Sequence, residues 1–413
     1  MPNYLAPGIY VEEVNTGANV IGRVGTSTAA FIGQAPFVDA HVNEAIAVDN
    51  WSMFLKHFYK EGAVSTPLSH AVFGFFLNGG RRCYVVNIGN GQSLTGTGKT
   101  RAGLDVLRTI EEVKIVAAPG FTGAVHFDAL LTYCEGMRNC FAIMDSPEMV
   151  TNLDLLTKVA TATATPSTPK KKDGAPDAAP AAPDTPSGDQ GLKPRLSKGG
   201  YGAFYCPWIT VRDPLGDGQL VNVPPSGHLA GIYGRSDANR GVHKAPANEI
   251  IRGALNISYP ITRADQEMLN PNGVNCIRLF SREGVMVWGA RTVGSDQWIY
   301  VNVRRLFNMV EESIGVSTLW VAFEPNDYSL WNQITRDVRH FLTVLWRDGA
   351  LMGKTPEEAF FVQCDEETNP PETVDLGMVV TRIGIAPVKP AEFVVFRIGQ
   401  SASGTKIELE GKK

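Results

Sequence analysis

From residue 28 to residue 145 the chain keeps switching its period. Thr28-Ala29-Ala30-Phe31-Ile32-Gly33 is a short apolar run fit for a buried strand, and Trp51, Phe54, Leu55 and Phe58 then recur at helical spacing. A second helix is bounded by Pro67 at its start and Asn78-Gly79-Gly80 at its end. Proline is tolerated there because the first helical N–H has no partner, and glycine suits the left-handed exit. The pattern then predicts a strand at 83–88, a helix at 102–110, a strand at 114–118, a helix at 126–138 and a strand at 140–145. Strands separated by helices return in parallel. The fold class is therefore α/β, with a central, mostly parallel sheet flanked by helices.

The rhythm breaks near residue 160. The stretch 161–190 carries Thr-Pro-Ser-Thr-Pro, Lys170-Lys171-Lys172 and repeated Ala-Pro. It has nothing to bury against the backbone entropy of ordering, about 1–2 kcal/mol per residue. Alternation resumes with a strand at 204–211, so an exposed insert over 161–197 within one domain is expected. A helix follows Pro224-Pro225-Ser226-Gly227. Val303, Leu306, Phe307, Val310 and Ile314 make one helical face, and Leu330, Ile334, Val338, Phe341 and Leu345 make another. Strands at 378–386 and 391–398 are expected to close the core. In the second, Glu392-Phe393-Val394-Val395-Phe396 is apolar on both faces and should be covered on both.

The two chain ends differ from this body. Ile9 and Val11 alternate with Tyr10, Glu12 and Val14, and Ile407 and Leu409 alternate with Lys406, Glu408 and Glu410. Each period-two strand hangs on a Gly-rich tether, Asn15 to Gly25 and Gly399 to Gly404. A lone strand must find a sheet edge, in its own subunit or another. The expected organisation is an arm at 1–25, an α/β core domain at 26–260, an α+β domain at 261–398 and a second arm at 399–413.

Composition narrows the function. The 413 residues are 44% hydrophobic and 19% charged, with a net charge of −4, which excludes a chain-wide basic field for nucleic acid. No apolar run reaches the ~18 residues of a membrane helix. The opening Met1-Pro2-Asn3-Tyr4-Leu5 lacks the basic and apolar regions of a signal peptide, so synthesis and assembly in the cytoplasm are expected. The six cysteines show no C-x-x-C spacing and sit in apolar runs such as Arg82-Cys83-Tyr84-Val85. They read as buried thiols in a reducing compartment.

Few motifs carry chemistry. Gly96-Thr97-Gly98-Lys99-Thr100 resembles a phosphate loop, but Ser93 stands where its first glycine is needed. A nucleotide-binding enzyme using Lys99 and Thr100 stays as the alternative reading. No G-x-S-x-G elbow occurs, and none of the seven histidines has zinc spacing. The expectation is no enzyme, no cofactor and no metal.

Several stretches together resemble the contractile sheath family of phage tails, bacteriocins and injection systems. They are Tyr4-Leu5-Ala6-Pro7-Gly8-Ile9-Tyr10-Val11-Glu12-Glu13, Gly25 to Gly33, Pro224-Pro225-Ser226-Gly227-His228-Leu229-Ala230-Gly231-Ile232-Tyr233 with Asp237, Arg240 and Lys244-Ala245-Pro246-Ala247-Asn248, then Trp288-Gly289-Ala290-Arg291-Thr292, Tyr300 to Arg305, Gly353 to Phe360 and Pro387 to Phe393. The resemblance implies a sheath subunit. Such subunits stack as hexameric rings around an inner tube, contract without nucleotide or metal, and drive the tube through a target envelope. It implies arms that join sheets of neighbouring copies, partners in the inner tube, baseplate and cap proteins, and a particle that can be released from the cell. A tube or baseplate component is the second alternative. On this reading Ile9, Val11, Ile407 and Leu409 insert, Val14 is a further subunit-interface residue, and Val380, Ile383, Phe393 and Val395 lie in the acceptor sheet. Arg336, Arg339 and Arg347, on the helix over 328–346, are candidates for the tube-facing surface.

Overall fold

In the computed structural model of the chain, the described residues are 20–91, 93–96, 100–161, 191–216 and 218–393. The first part forms β1 (Ala29–Gly33), β2 (Ala45–Val48), α1 (Trp51–Phe58), α2 (Pro67–Leu77), β3 (Cys83–Asn87), β4 (Ile115–Ala117), α3 (Ala124–Met137) and β5 (Phe141–Asp145). The middle forms β6 (Gly202–Cys206), β7 (Ile209–Arg212), β8 (Leu220–Val223), α4 (Ser226–Arg240), β9 (Glu249–Ile250), β10 (Asn256–Ile257), α5 (Arg263–Leu269), β11 (Val274–Phe280) and β12 (Gly284–Val287). The last part forms α6 (Val301–Ser317), α7 (Tyr328–Arg347), α8 (Pro356–Ala359), β13 (Phe360–Gln363), α9 (Pro371–Asp375) and β14 (Arg382–Ile385).

Nine strands make one sheet, in the order β2-β3-β1-β4-β5-β6-β11-β12-β9. The central pairings, from β3 on β1 through to β6 on β11, are all parallel. Antiparallel strands close both margins. The central strands are buried on both faces, as helices on each side require. Along β1, Phe31 faces one core with Phe54, Phe75, Ile232 and Tyr233 from α1, α2 and α4. Ala30 and Ile32 face the other, with Phe127, Leu130 and Leu131 of α3. A third core joins Leu306 and Val310 of α6 to Ile334, Val338 and Phe341 of α7 and Phe360 of β13.

Local chemistry explains the helix starts. Asn50 accepts from the Met53 N–H, and Thr66 forms a capping box with Ser69 ahead of Pro67. Asp327 accepts from Leu330 N–H to begin α7. Between α2 and α4 the backbones nearly touch. A Cβ added at Gly227 would sit 2.2 Å from the Ala71 Cα, so only glycine fits there.

Several elements differ from the sequence expectation. The helix over 102–110 is a six-residue 3-10 helix, Leu104–Thr109. Leu104 and Leu107 are buried at i,i+3, a spacing that eclipses side chains on a three-residue turn and so suits the tighter helix. The strand over 204–211 is two strands, β6 and β7, which belong to different sheets and are divided at Pro207. The strand over 378–386 shrinks to β14, whose partner is β13 rather than the main sheet. Residues 391–393 form no strand, and 394–398 lie outside the described residues.

The main sheet also runs past residue 260, where the sequence reading starts the C-terminal domain, because β11 and β12 complete it. Of the expected insert, residues 162–190 lie outside the described residues. Residues 191–197 are built into the body. Lys193 bridges Val159, and the Arg195 guanidinium binds Asp128 and Glu135 of α3.

Candidate assembly surfaces

Ile9, Val11 and Val14 at one end, and Val395, Ile407 and Leu409 at the other, lie outside the described residues. At each end the described residues are anchored to the body. At the N-terminal side Ile21 is buried in the third core. The Arg23 guanidinium pairs with Asp348 at the end of α7. The Val24 N–H donates to Ser313 Oγ at 3.1 Å. Thr26 Oγ1 donates to Asp237 Oδ2 at 2.6 Å, and the Thr26 carbonyl accepts from Arg305 Nη2 at 2.9 Å. The stretch expected to be free arm is therefore fixed from Ile21 onward.

Arg305 on α6 and Asp237 on α4 form the centre of that attachment, and the Arg305 guanidinium lies 4.8 Å from the Tyr233 ring. Burial works against the charge on Arg305, and Asp237 restores it, leaving the guanidinium more basic than usual. Two further contacts bolt α6 to the sheet. Lys114 pairs with Glu312, and Arg304 stacks on Trp298 at 4.1 Å and on Tyr201 at 4.7 Å. Sequence reasoning missed this seam. Its residues lie far apart in the chain and have no spacing to betray them.

The C-terminal side has a matching exit. Arg291 grips Glu392 through Nε to Oε1 at 2.8 Å and Nη2 to Oε2 at 2.6 Å. Burial works to raise the Glu392 carboxyl, and hydrogen bonds from Arg291 and Asn270 outweigh it, leaving it below the usual carboxylate range. Phe393 follows, 75% exposed, on the wall of a groove of about 960 Å³ that also includes Trp288 and Tyr300.

β13 and β14 form a two-stranded antiparallel ribbon, so among the described residues each strand keeps one unpaired edge. Phe360, Val362, Ile383 and Ile385 turn toward the third core. Ile383 is thus half-buried beneath the ribbon. Val380 lies before β14, 39% exposed, and the Asn369 carboxamide clamps its backbone, accepting from the N–H at 2.6 Å and donating to the carbonyl at 3.0 Å. Asn369 holds the chain extended just where the ribbon edge begins.

Arg336, Arg339 and Arg347 are all exposed on α7, with His340 on the same solvent side. Arg336 Nε reaches the carboxylate of its neighbour Asp337 at 3.1 Å. On the opposite face Ile334, Val338, Phe341 and Leu345 are buried. The helix is amphipathic and its open face is basic.

Lys99 lies outside the described residues, and Thr100 is exposed. The Gly96 N–H donates to the Asp105 carboxylate at 3.0 Å, so an acceptor already occupies an amide that a phosphate would need. The 3-10 helix that follows offers no α-helical N-terminus. At the start of α4, where α/β proteins often carry catalytic groups, Ser226 donates to Asp145 from N at 2.8 Å and from Oγ at 2.6 Å. Asp145, Ser226 and the adjacent His228 are at most 2% exposed, and burial pushes His228 down to about 3. Asp145 and Ser226 are thus buried on each other, while the His228 imidazole lies against Gly74 of α2 and is too weak a base for general-base work near neutral pH.

Comparison with known proteins matches residues 196–293 to the phage tail sheath protein central domain and residues 294–401 to the phage tail sheath C-terminal domain. The tail sheath protein of Salmonella phage ViI is 28% identical over 187 residues, 44% of this chain and 28% of that one. The tail sheath protein of Vibrio phage KVP40 is 27% identical over 177 residues, 42% of this chain and 26% of that one. The matched part thus spans under a third of these relatives' length. Among solved structures, the sheath complex of an extracellular contractile injection system, PVC, in its contracted state matches with TM-score 0.72 and 27% identity over 97% of this chain and 99% of that one. The contracted helical sheath of the anti-feeding prophage matches with TM-score 0.71 and 26% identity over 97% of this chain and all of that one. A sheath tail protein from Desulfitobacterium hafniense, 8% identical with TM-score 0.55, shares the fold. A nine-stranded, mostly parallel sheet, a C-terminal ribbon with open edges and these matches have one common reading: the chain belongs to the phage tail sheath family.

Proposed function

We propose that this chain is a structural sheath subunit. It polymerises as stacked hexameric rings around an inner tube and contracts to drive that tube through a target envelope. The observation that carries this reading is the β13–β14 ribbon, whose outer strand edges carry no partner strand among the described residues. Strand addition to such an edge gives affinity through main-chain hydrogen bonds and register through alternate side chains.

On this reading the inserted side chains are Ile9, Val11, Ile407 and Leu409, with Val14 at the same subunit interface. The acceptor is the main-chain edge of the ribbon beside Val380 and Ile383, with Phe393 and Val395 at the exit of the second arm. The basic face of α7, with Arg336, Arg339 and Arg347, fits an acidic surface on the inner tube. Baseplate and cap proteins terminate the polymer, and assembly takes place in the cytoplasm before release. The work of contraction comes from repacking between copies, with no enzymatic step. The domain division supported by the sheet lies near residue 293, where β12 has ended and the chain turns toward α6.

Negative-stain microscopy of the purified protein tests this. Wide ridged tubes are expected. Narrow smooth tubes would reassign the chain to the tube, and tight ATP binding lost on Lys99→Ala would reassign it to an enzyme.

A further inference from the structure

The segment from Ile21 to Thr26 is a strap rather than a slack linker. Four of its six residues are anchored: Ile21 in the third core, Arg23 on Asp348, Val24 on Ser313, and Thr26 on Asp237 and Arg305. It does not lie on a solid wall. A cavity of about 490 Å³ opens beneath it, lined by Arg23, Val24, Thr26, Leu306, Met309 and Leu345 among others. Apart from the Ile21 and Val24 side chains, which pack on the third core, the hold of the strap depends on its polar anchors.

The last anchor is shared. Asp237 Oδ2 accepts from Thr26 Oγ1 at 2.6 Å and from Arg305 Nη2 at 2.6 Å, and the same Nη2 donates to the Thr26 carbonyl at 2.9 Å. A pull on the N-terminal arm that gets past Ile21, Arg23 and Val24 is therefore borne by the bond that ties α4 of the sheet domain to α6 of the C-terminal domain. We propose that residues 21–26 are the fixed end of the N-terminal tether. Thr26 is the positioning residue that keys it to the Asp237–Arg305 pair, so this node sets how far neighbouring copies separate before the tether is taut. The inference rests on the strand-exchange reading above. The 20 residues ahead of Ile21 reach at most about 65 Å, and peeling 21–26 would add about 20 Å, several times the 4.7–4.9 Å spacing of paired strands.

The test compares wild-type protein with Thr26→Val and Thr26→Ser in two readouts. Hydrogen exchange of the amides in 21–26 reports the strap, and microscopy after triggered contraction reports sheath continuity. Thr26→Val removes the hydroxyl but leaves the carbonyl for Arg305 and leaves Asp237 paired, so the free subunit should fold. Its strap amides are expected to exchange about tenfold faster, as loss of one hydrogen bond to a charged acceptor predicts. Its sheaths should break into stacks several-fold shorter on contraction, and Thr26→Ser should restore both readouts. Thr26→Val sheaths that contract whole despite faster exchange would overturn the tether role. Unchanged exchange would overturn Thr26 as the key. If wild-type protein forms no sheath while exchange still responds to Thr26→Val, the polymer reading has failed and takes the tether role with it, although the strap itself stands.

Discussion

Arg305 closes a forked ion pair on Asp237, Nη1 to Oδ1 at 2.9 Å and Nη2 to Oδ2 at 2.6 Å, with 4% and 6% of the two side chains exposed. The pair joins helices from two different cores. Removing one partner leaves a buried charge uncompensated, which costs about 3–5 kcal/mol. Arg305→Ala is therefore expected to lower urea-unfolding stability by that amount. Arg305→Lys should fall between, because an ammonium cannot reproduce the fork. An Arg305→Met, Asp237→Leu double variant should be less destabilised than Arg305→Ala, since no lone charge is left inside.

Asp145 gives a pH signature. Burial raises its carboxyl to about 7, against the pull of hydrogen bonds from Ser226 and Gly120. A folded value above the ordinary carboxylate value means that the folded state binds the extra proton. The stabilisation is fully present below about pH 4 and is lost as pH rises through about 7. Over that window it amounts to about 4 kcal/mol at most. Asp145→Asn should lack this contribution, so the stability difference between wild type and variant should shift against wild type between pH 4 and 8. Parallel curves from urea denaturation at a series of pH values would refute the assignment.

Two glycines in helices should respond with opposite signs. Gly227→Ala forces a Cβ to 2.2 Å from the Ala71 Cα and 2.4 Å from its carbonyl, so α2 and α4 must move apart. A loss of at least 1–3 kcal/mol is expected. A Cβ at Gly315 in α6 meets nothing within 4 Å, and Gly315→Ala should gain up to about 1 kcal/mol from helix propensity. Thermal melting of both variants checks the pair.

Deleting residues 1–14 or 404–413 should abolish polymerisation and leave a folded monomer. Neither deletion reaches the anchors at Ile21 or Glu392. Sedimentation reads the polymer and circular dichroism reads the fold. Normal sheath from either truncation would defeat the strand-exchange reading.

Replacing residues 162–190 by a short Gly-Ser linker should leave melting and assembly unchanged. The flanks are held together without it: Ala160 N–H donates to the Lys193 carbonyl at 2.7 Å, and Lys193 N–H to the Lys158 carbonyl at 2.9 Å. Loss of folding would show that the insert contributes to the body.

The parallel sheet was legible because its period switching is local: β1, β3, β4 and β5 and the helices between them carry their own apolar spacing, whereas the short, half-buried margin strand β2 was not read. The extent of the sheet was not legible. β11 and β12 look like any hairpin, and nothing in Val274–Phe280 says which sheet it joins. The helix expected over 102–110 failed because Leu104 and Leu107 at i,i+3 satisfy either helix type. The arginines of α7 were readable as an exposed face from the apolar stripe opposite them. The anchoring node was unreadable: Thr26 and Asp237 stand 211 residues apart, and Asp237 and Arg305 stand 68 apart. Contacts made by the fold leave no periodic trace in the chain.

The bridge between Val159 and Lys193 has a practical consequence. It brings both flanks of the insert to one point, so whatever is spliced between them need only have its own two ends close together. A compact foreign domain of that kind could replace residues 162–190 in every copy of the polymer without altering the distance the body must span. If the chain polymerises as proposed, a splice between Val159 and Lys193 would carry a reporter, an affinity tag or a targeting module on every copy.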